Sequence, residues 1–170
     1  MNFLSSFQST FTAMYREEEF TKQINKELCE KYPILLPHNR FTGKTPDDYD
    51  YEYTELDAMP EGWLKAFGLD MVKEMQEYIN TLPEPAQDNI AIVDIKEKFG
   101  YLHVYLTGYN KTLREIISKY EQKSKFICIK CGKPATKIST GWICPWCDDC
   151  SQKINDKLEP IKAFYAKYED

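Results

Sequence analysis

Apolar residues recur at helical spacing in four stretches of this chain, the last of them beyond Asp148, and alternate at strand spacing in one. In the first stretch, residues 9–31, Phe11, Met14, Tyr15, Ile24 and Leu28 fall near one face, while Arg16, Glu17, Glu18, Glu19 and Lys22 face water. Pro33 ends that helix because proline cannot continue the hydrogen-bonding ladder. Cys29 lies on the apolar face, far in sequence from the other cysteines, and reads as a buried small hydrophobe. The second stretch, 61–82, carries Trp63, Leu64, Phe67, Met71, Met75, Tyr78 and Ile79, a stripe that reads as core and not as a cofactor box. Gly68 is expected to divide it, with Asp70 capping the second part, and Pro83 and Pro85 to stop it. The third, 110–122, buries Leu113, Ile116, Ile117 and Tyr120, and opens with Thr112 and Glu115 at the spacing of a capping box.

Residues 89–107 alternate instead, and predict a β-hairpin with its turn at Gly100. Ile90, Ile92, Asp94 and Lys96 are expected on one face, with Ala91, Val93, Ile95, Glu97 and Phe99 on the other. On the return strand Leu102, Val104 and Leu106 oppose Tyr101, His103 and Tyr105. His103 and His38 are the two histidines. With no Ser or Cys placed beside it, His103 reads as a surface strand residue and not as a general base.

Between the first two helices, 33–62 is irregular, broken by Pro37, Gly43, Pro46 and Pro60. Within it, 45–61 holds seven acidic residues and no basic one, and Tyr49, Tyr51 and Tyr53 alternate with Asp47, Asp48, Asp50 and Glu52. A period of two fits an edge strand or an extended loop with one aromatic face. One reading is a solvated loop that packs its tyrosines on the body. The other is a binding face for a basic partner, because tyrosines anchor interfaces and acidic clusters steer association.

The chemistry of the C-terminal third comes from cysteine. Five of the six cysteines lie in 126–151: Cys128 and Cys131, followed by Gly132, then Cys144, Cys147 and Cys150. Thiolates at this spacing close on one tetrahedral Zn²⁺, a structural ion with one per chain. Cys128 and Cys131 form a knuckle. From Asp148 the chain reads as one helix, with Ile154, Leu158, Ile161, Phe164 and Tyr165 at helical spacing. Cys147 and Cys150 would sit on its first turn, where the dipole favours thiolates. A knuckle plus a ligand pair on a helix start is the treble-clef arrangement, so the expected ligands are Cys128, Cys131, Cys147 and Cys150. Exchange of Cys144 for Cys147 or Cys150 is the rival assignment. A redox reading of Cys144-Pro-Trp-Cys147 lacks the surrounding βαβ pattern, and a disulfide framework needs an oxidising compartment. The start, MNFLSSFQST, has neither the basic beginning nor the long apolar core of a signal peptide, and no apolar run of membrane length occurs. The expected compartment is the cytoplasm.

These residues also resemble an uncharacterised group of phage- and prophage-encoded proteins. The similarity runs over 62–151. It is carried by Gly62-Trp63, by Ile95-Lys96-Glu97-Lys98-Phe99-Gly100 with Leu102 and Tyr105, by Cys128-x-x-Cys131-Gly132, and by Gly141-Trp142 before Cys147-Asp148-x-Cys150. The resemblance implies a phage-type origin, host-cell cytoplasm, and a last ligand pair at Cys147 and Cys150 with no cysteine required at Cys144. The sequence departs from the group's pattern at His103, where arginine is usual.

Charge divides the function classes. The net charge of −5 disfavours indiscriminate coating of nucleic acid. Yet 111–140 holds eight basic residues against Glu115 and Glu121, a local net of +6. Lysines there either offset a four-thiolate zinc site or, through Lys125, Lys130, Lys133 and Lys137, form a nucleic-acid face. No phosphate-cradling glycine loop, G-x-S-x-G or H-E-x-x-H is present, so no enzyme is indicated. The chain is therefore expected to be α+β, with helices packed on a small antiparallel sheet over 1–122 and a C-terminal treble-clef-like zinc module over 123–170. Its expected role is to bind a host or phage protein by occupancy, through the acidic segment. The alternative is a nucleic-acid-binding accessory protein using the basic zinc region.

Overall fold

A computed structural model describes residues 3–39, 42–108 and 110–168, with side chains from Glu17 onward. The first helix, α1 (Phe3–Lys31), begins earlier than the expected residue 9. Among its described side chains, Asn25 and Cys29 are buried and Leu28 is partly covered. Ile24, expected on the buried face, is exposed, as is Phe20. Phe11, Met14, Tyr15 and Arg16 lie outside the residues whose side chains are described.

The second helical stretch is continuous, but it changes pitch. It runs through α2 (Glu61–Trp63), a π-helical turn (Leu64–Gly68) and α3 (Leu69–Ile79). Gly68 keeps a helical φ of −55° and divides nothing, and no side chain caps α3, so Asp70 does not act as a cap. The widened turn replaces the expected break. Trp63, Phe67, Met71 and Met75 are almost completely buried along this stretch. The helix ends at Ile79, before Pro83. Pro85 sits in the first turn of a short helix, α4 (Glu84–Gln87), where its missing N–H costs nothing.

The hairpin pairs β1 (Ile92–Lys98) with β2 (Tyr101–Leu106), antiparallel, around Phe99 (φ 54°) and Gly100 (φ 84°). Positive φ at both central residues is what a tight two-residue hairpin turn demands. A register shift between Ile92 and Asp94 breaks the strict alternation expected for β1. The bulge flips the phase, so Ile92 and Ile95 are both buried, whereas simple alternation puts them on opposite faces. Leu102, Val104 and Leu106 are buried as expected. His103 is half-buried between the rings of Tyr101 and Tyr105.

Helix α5 (Lys111–Ser124) is capped by Asn110, whose Oδ1 accepts from Leu113 N at 3.2 Å, so Thr112 is not the cap. It covers the free edge of β2. Ser124 Oγ accepts from Leu102 N at 2.8 Å, and Glu121 Oε1 accepts from Val104 N at 3.2 Å. Those bonds satisfy backbone donors that an exposed edge strand would offer to another chain. Leu113, Ile117 and Tyr120 join the core formed by the second helical stretch and the hairpin.

A second, smaller sheet follows, with strand order β4-β3-β5, built from β3 (Lys137–Ser139), β4 (Cys144–Trp146) and β5 (Leu158–Pro160). The long helix expected from Asp148 is not formed. Instead α6 (Asp148–Ser151) is one turn, and α7 (Ile161–Tyr165) follows β5. Two interactions win over helical periodicity. Leu158 to Pro160 pair with β3, and Asp156 accepts from the backbone of Gly141 and Trp142. Ile138, Ile161, Phe164 and Ala135 form a small separate core. The chain is α+β, with helices and two small antiparallel sheets. Among the described residues no helix is long and apolar enough to cross a membrane.

Candidate metal centre

Cys128 and Cys131 come from the knuckle before β3, Cys147 is the N-cap of α6, and Cys150 lies one turn on. Their sulfurs all lie within 4.8 Å of one another, and Cys131 and Cys147 Sγ are 3.5 Å apart. A disulfide needs about 2.05 Å; all six cysteines are free. Tetrahedral coordination at about 2.3 Å per thiolate separates the sulfurs by about 3.8 Å, so this set can hold a metal ion. Among the described residues it is the one His, Cys, Asp or Glu cluster of that kind.

The electrostatics point the same way. Burial pushes the Cys128 thiol up, but backbone hydrogen bonds from Cys147, Cys131 and Lys130 outweigh it and bring the group down to about 7. Burial, reinforced by the crowded sulfurs of Cys147, Cys131 and Cys128, pushes Cys150 up to about 12. Four adjacent thiols cannot all ionise without a cation between them, and a divalent ion supplies the missing charge. Cys144 stands outside the cluster. It is buried, and burial first, then the Glu97 carboxylate, holds its thiol up at about 12. Cys29 is likewise buried in the main core, its thiol raised by burial.

The centre is set against the start of α2. Gly62 N donates to Ile129 O at 2.9 Å, and Trp63 Nε1 donates to Ile127 O at 2.9 Å, so Gly62-Trp63 binds the knuckle backbone directly. A methyl at Gly62 would lie 2.2 Å from Cys128 O. Gly132 has φ 81°, and a methyl there would lie 2.7 Å from Gly62 O. Glu61 accepts from Lys130 at 2.8 Å and from Lys65 at 2.5 Å, and these two lysines bring its carboxyl down to about 2. Nearby, Ser139 Oγ organises the β3–β4 turn: it donates to Trp142 O and accepts from Cys144 N at 3.1 Å and Trp146 Nε1 at 3.0 Å. No local pattern in the sequence marks Ser139 or Asp156. Both act on backbone groups of a turn that only the folded chain brings near them.

The remaining candidates separate. Tyr49 and Tyr51 are half-buried. Asn25 Nδ2 donates to Tyr51 O at 2.9 Å, the Tyr49 hydroxyl lies 3.9 Å from Cys29 Sγ, and the Tyr49 ring lies 4.9 Å from that of Tyr51. The segment is a loop against α1 and contains no strand; it closes in a 3₁₀ turn (Glu55–Ala58) capped by Thr54. Asp47, Asp48, Asp50, Glu52 and Tyr53 are exposed, with Asp50 paired to Lys22 at 2.7 Å. Three of the four lysines expected to form a nucleic-acid face are ion-paired: Lys130 with Glu61, Lys133 with Asp149 at 2.8 Å, and Lys137 with Asp148 at 3.5 Å. Lys125 instead lies over the rings of Tyr101 and Tyr165. No protein-family model, curated protein or solved structure matches the chain.

Proposed function

We propose that this is a phage-type binding protein whose C-terminal module is held by one structural Zn²⁺ in a treble-clef arrangement, and which engages a basic protein partner by occupancy. Four cysteine ligands close the coordination sphere and leave no open position for a substrate or activated water, so the metal is assigned a structural role. The partner surface is assigned to the acidic segment and the adjoining part of α1. The observation that carries this is the way the loop is fixed. Tyr49 and Tyr51 turn inward onto α1, and Glu52 faces outward beside Glu17 and Glu18 around a groove of about 310 Å³, which Lys22 also lines while paired with Glu18 at 3.4 Å. A pre-organised group of carboxylates with exposed Phe20 and Tyr53 nearby combines charge steering with apolar anchors.

The test is a nuclease-treated pull-down from bacterial lysate with the tagged chain and a triple variant, Asp47→Lys, Asp48→Lys and Glu52→Lys. This variant spares the Asp50–Lys22 pair. A partner retained by the wild type and lost at least about tenfold by the variant, with the effect weakening in salt, supports the surface. Equal capture by both proteins rules the surface out.

A further inference from the structure

The outer face of the hairpin carries side chains that the core does not use. Lys98 stands opposite Tyr101, Lys96 opposite His103 and Asp94 opposite Tyr105. Directly opposed residues share one face of a sheet, and the other face is the buried one, through Leu102, Val104 and Leu106. On β2 the outer side chains form a row of rings. Tyr101 and His103 have centroids 4.2 Å apart, and His103 and Tyr105 stack at 6.2 Å and 15°. Beyond the turn, Phe99 (67% exposed) and Trp142 (73% exposed) wall a groove of about 380 Å³ together with Lys98. The Trp142 backbone is fixed, its N–H by Asp156 and its carbonyl by Ser139, although the indole itself faces water.

Lysines interleave with these rings. Lys96, ion-paired with Asp94 on the same face, has its Nζ 5.0 Å from the Tyr105 centroid, Lys98 lies 5.4 Å from Phe99, and Lys125 lies 4.9 Å from Tyr101. Rings alternating with cations are the chemistry of a single-strand platform, in which ring faces stack on any base and ammonium groups meet phosphates. Tyr101 and Tyr105, the two platform rings of β2, are four residues apart on that strand and therefore about 13 Å apart along it. The base rise within a duplex is about 3.4 Å, so successive rings suit an extended, unstacked strand. An acidic peptide would use the lysines but leave the ring faces unoccupied.

We propose that this face binds single-stranded nucleic acid, with bases stacked on Tyr105, Tyr101 and the Phe99–Trp142 pair and phosphates met by Lys96, Lys98 and Lys125. The surface shares no residue with the acidic segment, so the two readings fail independently.

Fluorescence anisotropy of the full zinc-loaded chain tests it, with a labelled oligothymidine of about 15 nucleotides, the matching duplex, and a polyglutamate competitor. The expected result is preferential binding of the single strand, with a log–log salt slope near −2 for about three phosphates. Tyr105→Ala and Trp142→Ala should each weaken binding by about five- to 100-fold. Both side chains are exposed, and unchanged circular dichroism and zinc content verify the fold. The acidic-segment triple variant should retain the wild-type affinity or better. Absent binding, equal or tighter binding of duplex, full displacement by polyglutamate, or affinity unchanged in both aromatic variants overturns the proposal.

Discussion

At the scale of single residues, the C-terminal module depends on atoms that are missing. Gly62 allows the knuckle carbonyls to reach the start of α2, and a methyl there meets Cys128 O and Ile129 C and O, all rigid backbone. Gly62→Ala should therefore destabilise the chain by at least about 2 kcal/mol, as overpacking against immovable atoms does, and should weaken metal retention. Gly68→Ala is the control. There the new methyl meets the movable end of Leu64, 2.8 Å away, at a helical φ, and helix propensity favours alanine. Urea denaturation should show a large loss for the first and a small change of either sign for the second; equal effects would contradict this account of the seam. The importance of Gly62 was legible in the sequence only as part of a recurring string. Nothing local to Gly62 shows that its neighbour is residue 128.

At the scale of elements, α3 and α5 are joined by Glu74, which accepts from Lys119 and from Tyr120 Oη, the latter at 2.8 Å. The Lys119 hydrogen bond in the first place, aided by Tyr120 against partial burial, holds the Glu74 carboxyl below its usual 4.5. A depressed folded value stabilises the fold above the unfolded pKa, and the contribution is lost as pH falls through the folded value. Glu74→Gln should thus lower Tm at neutral pH, with the gap to wild type closing below about pH 4.5. A gap that stays constant down to about pH 3 would rule out the ionic contribution. Periodicity was a good guide to α5, the second helical stretch and the hairpin, because each buries one face against a common core; for α1 it gave the helix but misplaced Ile24, which is exposed. It failed where local patterns met tertiary demands. The bulge at Val93 rephased β1, the π turn absorbed Gly68, and Asp156 with Pro160 diverted a helix-patterned segment into an edge strand.

At the scale of the molecule, the main core and the small C-terminal core meet along a seam where the motif residues gather. Ile127 and Ile129 pack on the main core, Gly100 abuts Ile143, and Gly62-Trp63 holds the knuckle. The cysteine spacing in the sequence, read with the helix start at Asp148, named the same four sulfurs that the fold brings together. The positions of the lysines carried no comparable information, since their acidic partners Glu61, Asp148 and Asp149 are assigned only by folding. If the four sulfurs hold the module onto the body, metal content and stability change together. The most direct measurement is the zinc content of purified protein by elemental analysis, taken alongside thermal unfolding, for wild type, Cys128→Ser and Cys144→Ala. About one Zn²⁺ per chain in wild type and Cys144→Ala, with loss of metal and a lower Tm in Cys128→Ser, is the predicted result. A folded, metal-free wild type, or zinc lost from Cys144→Ala and kept by Cys128→Ser, would contradict it.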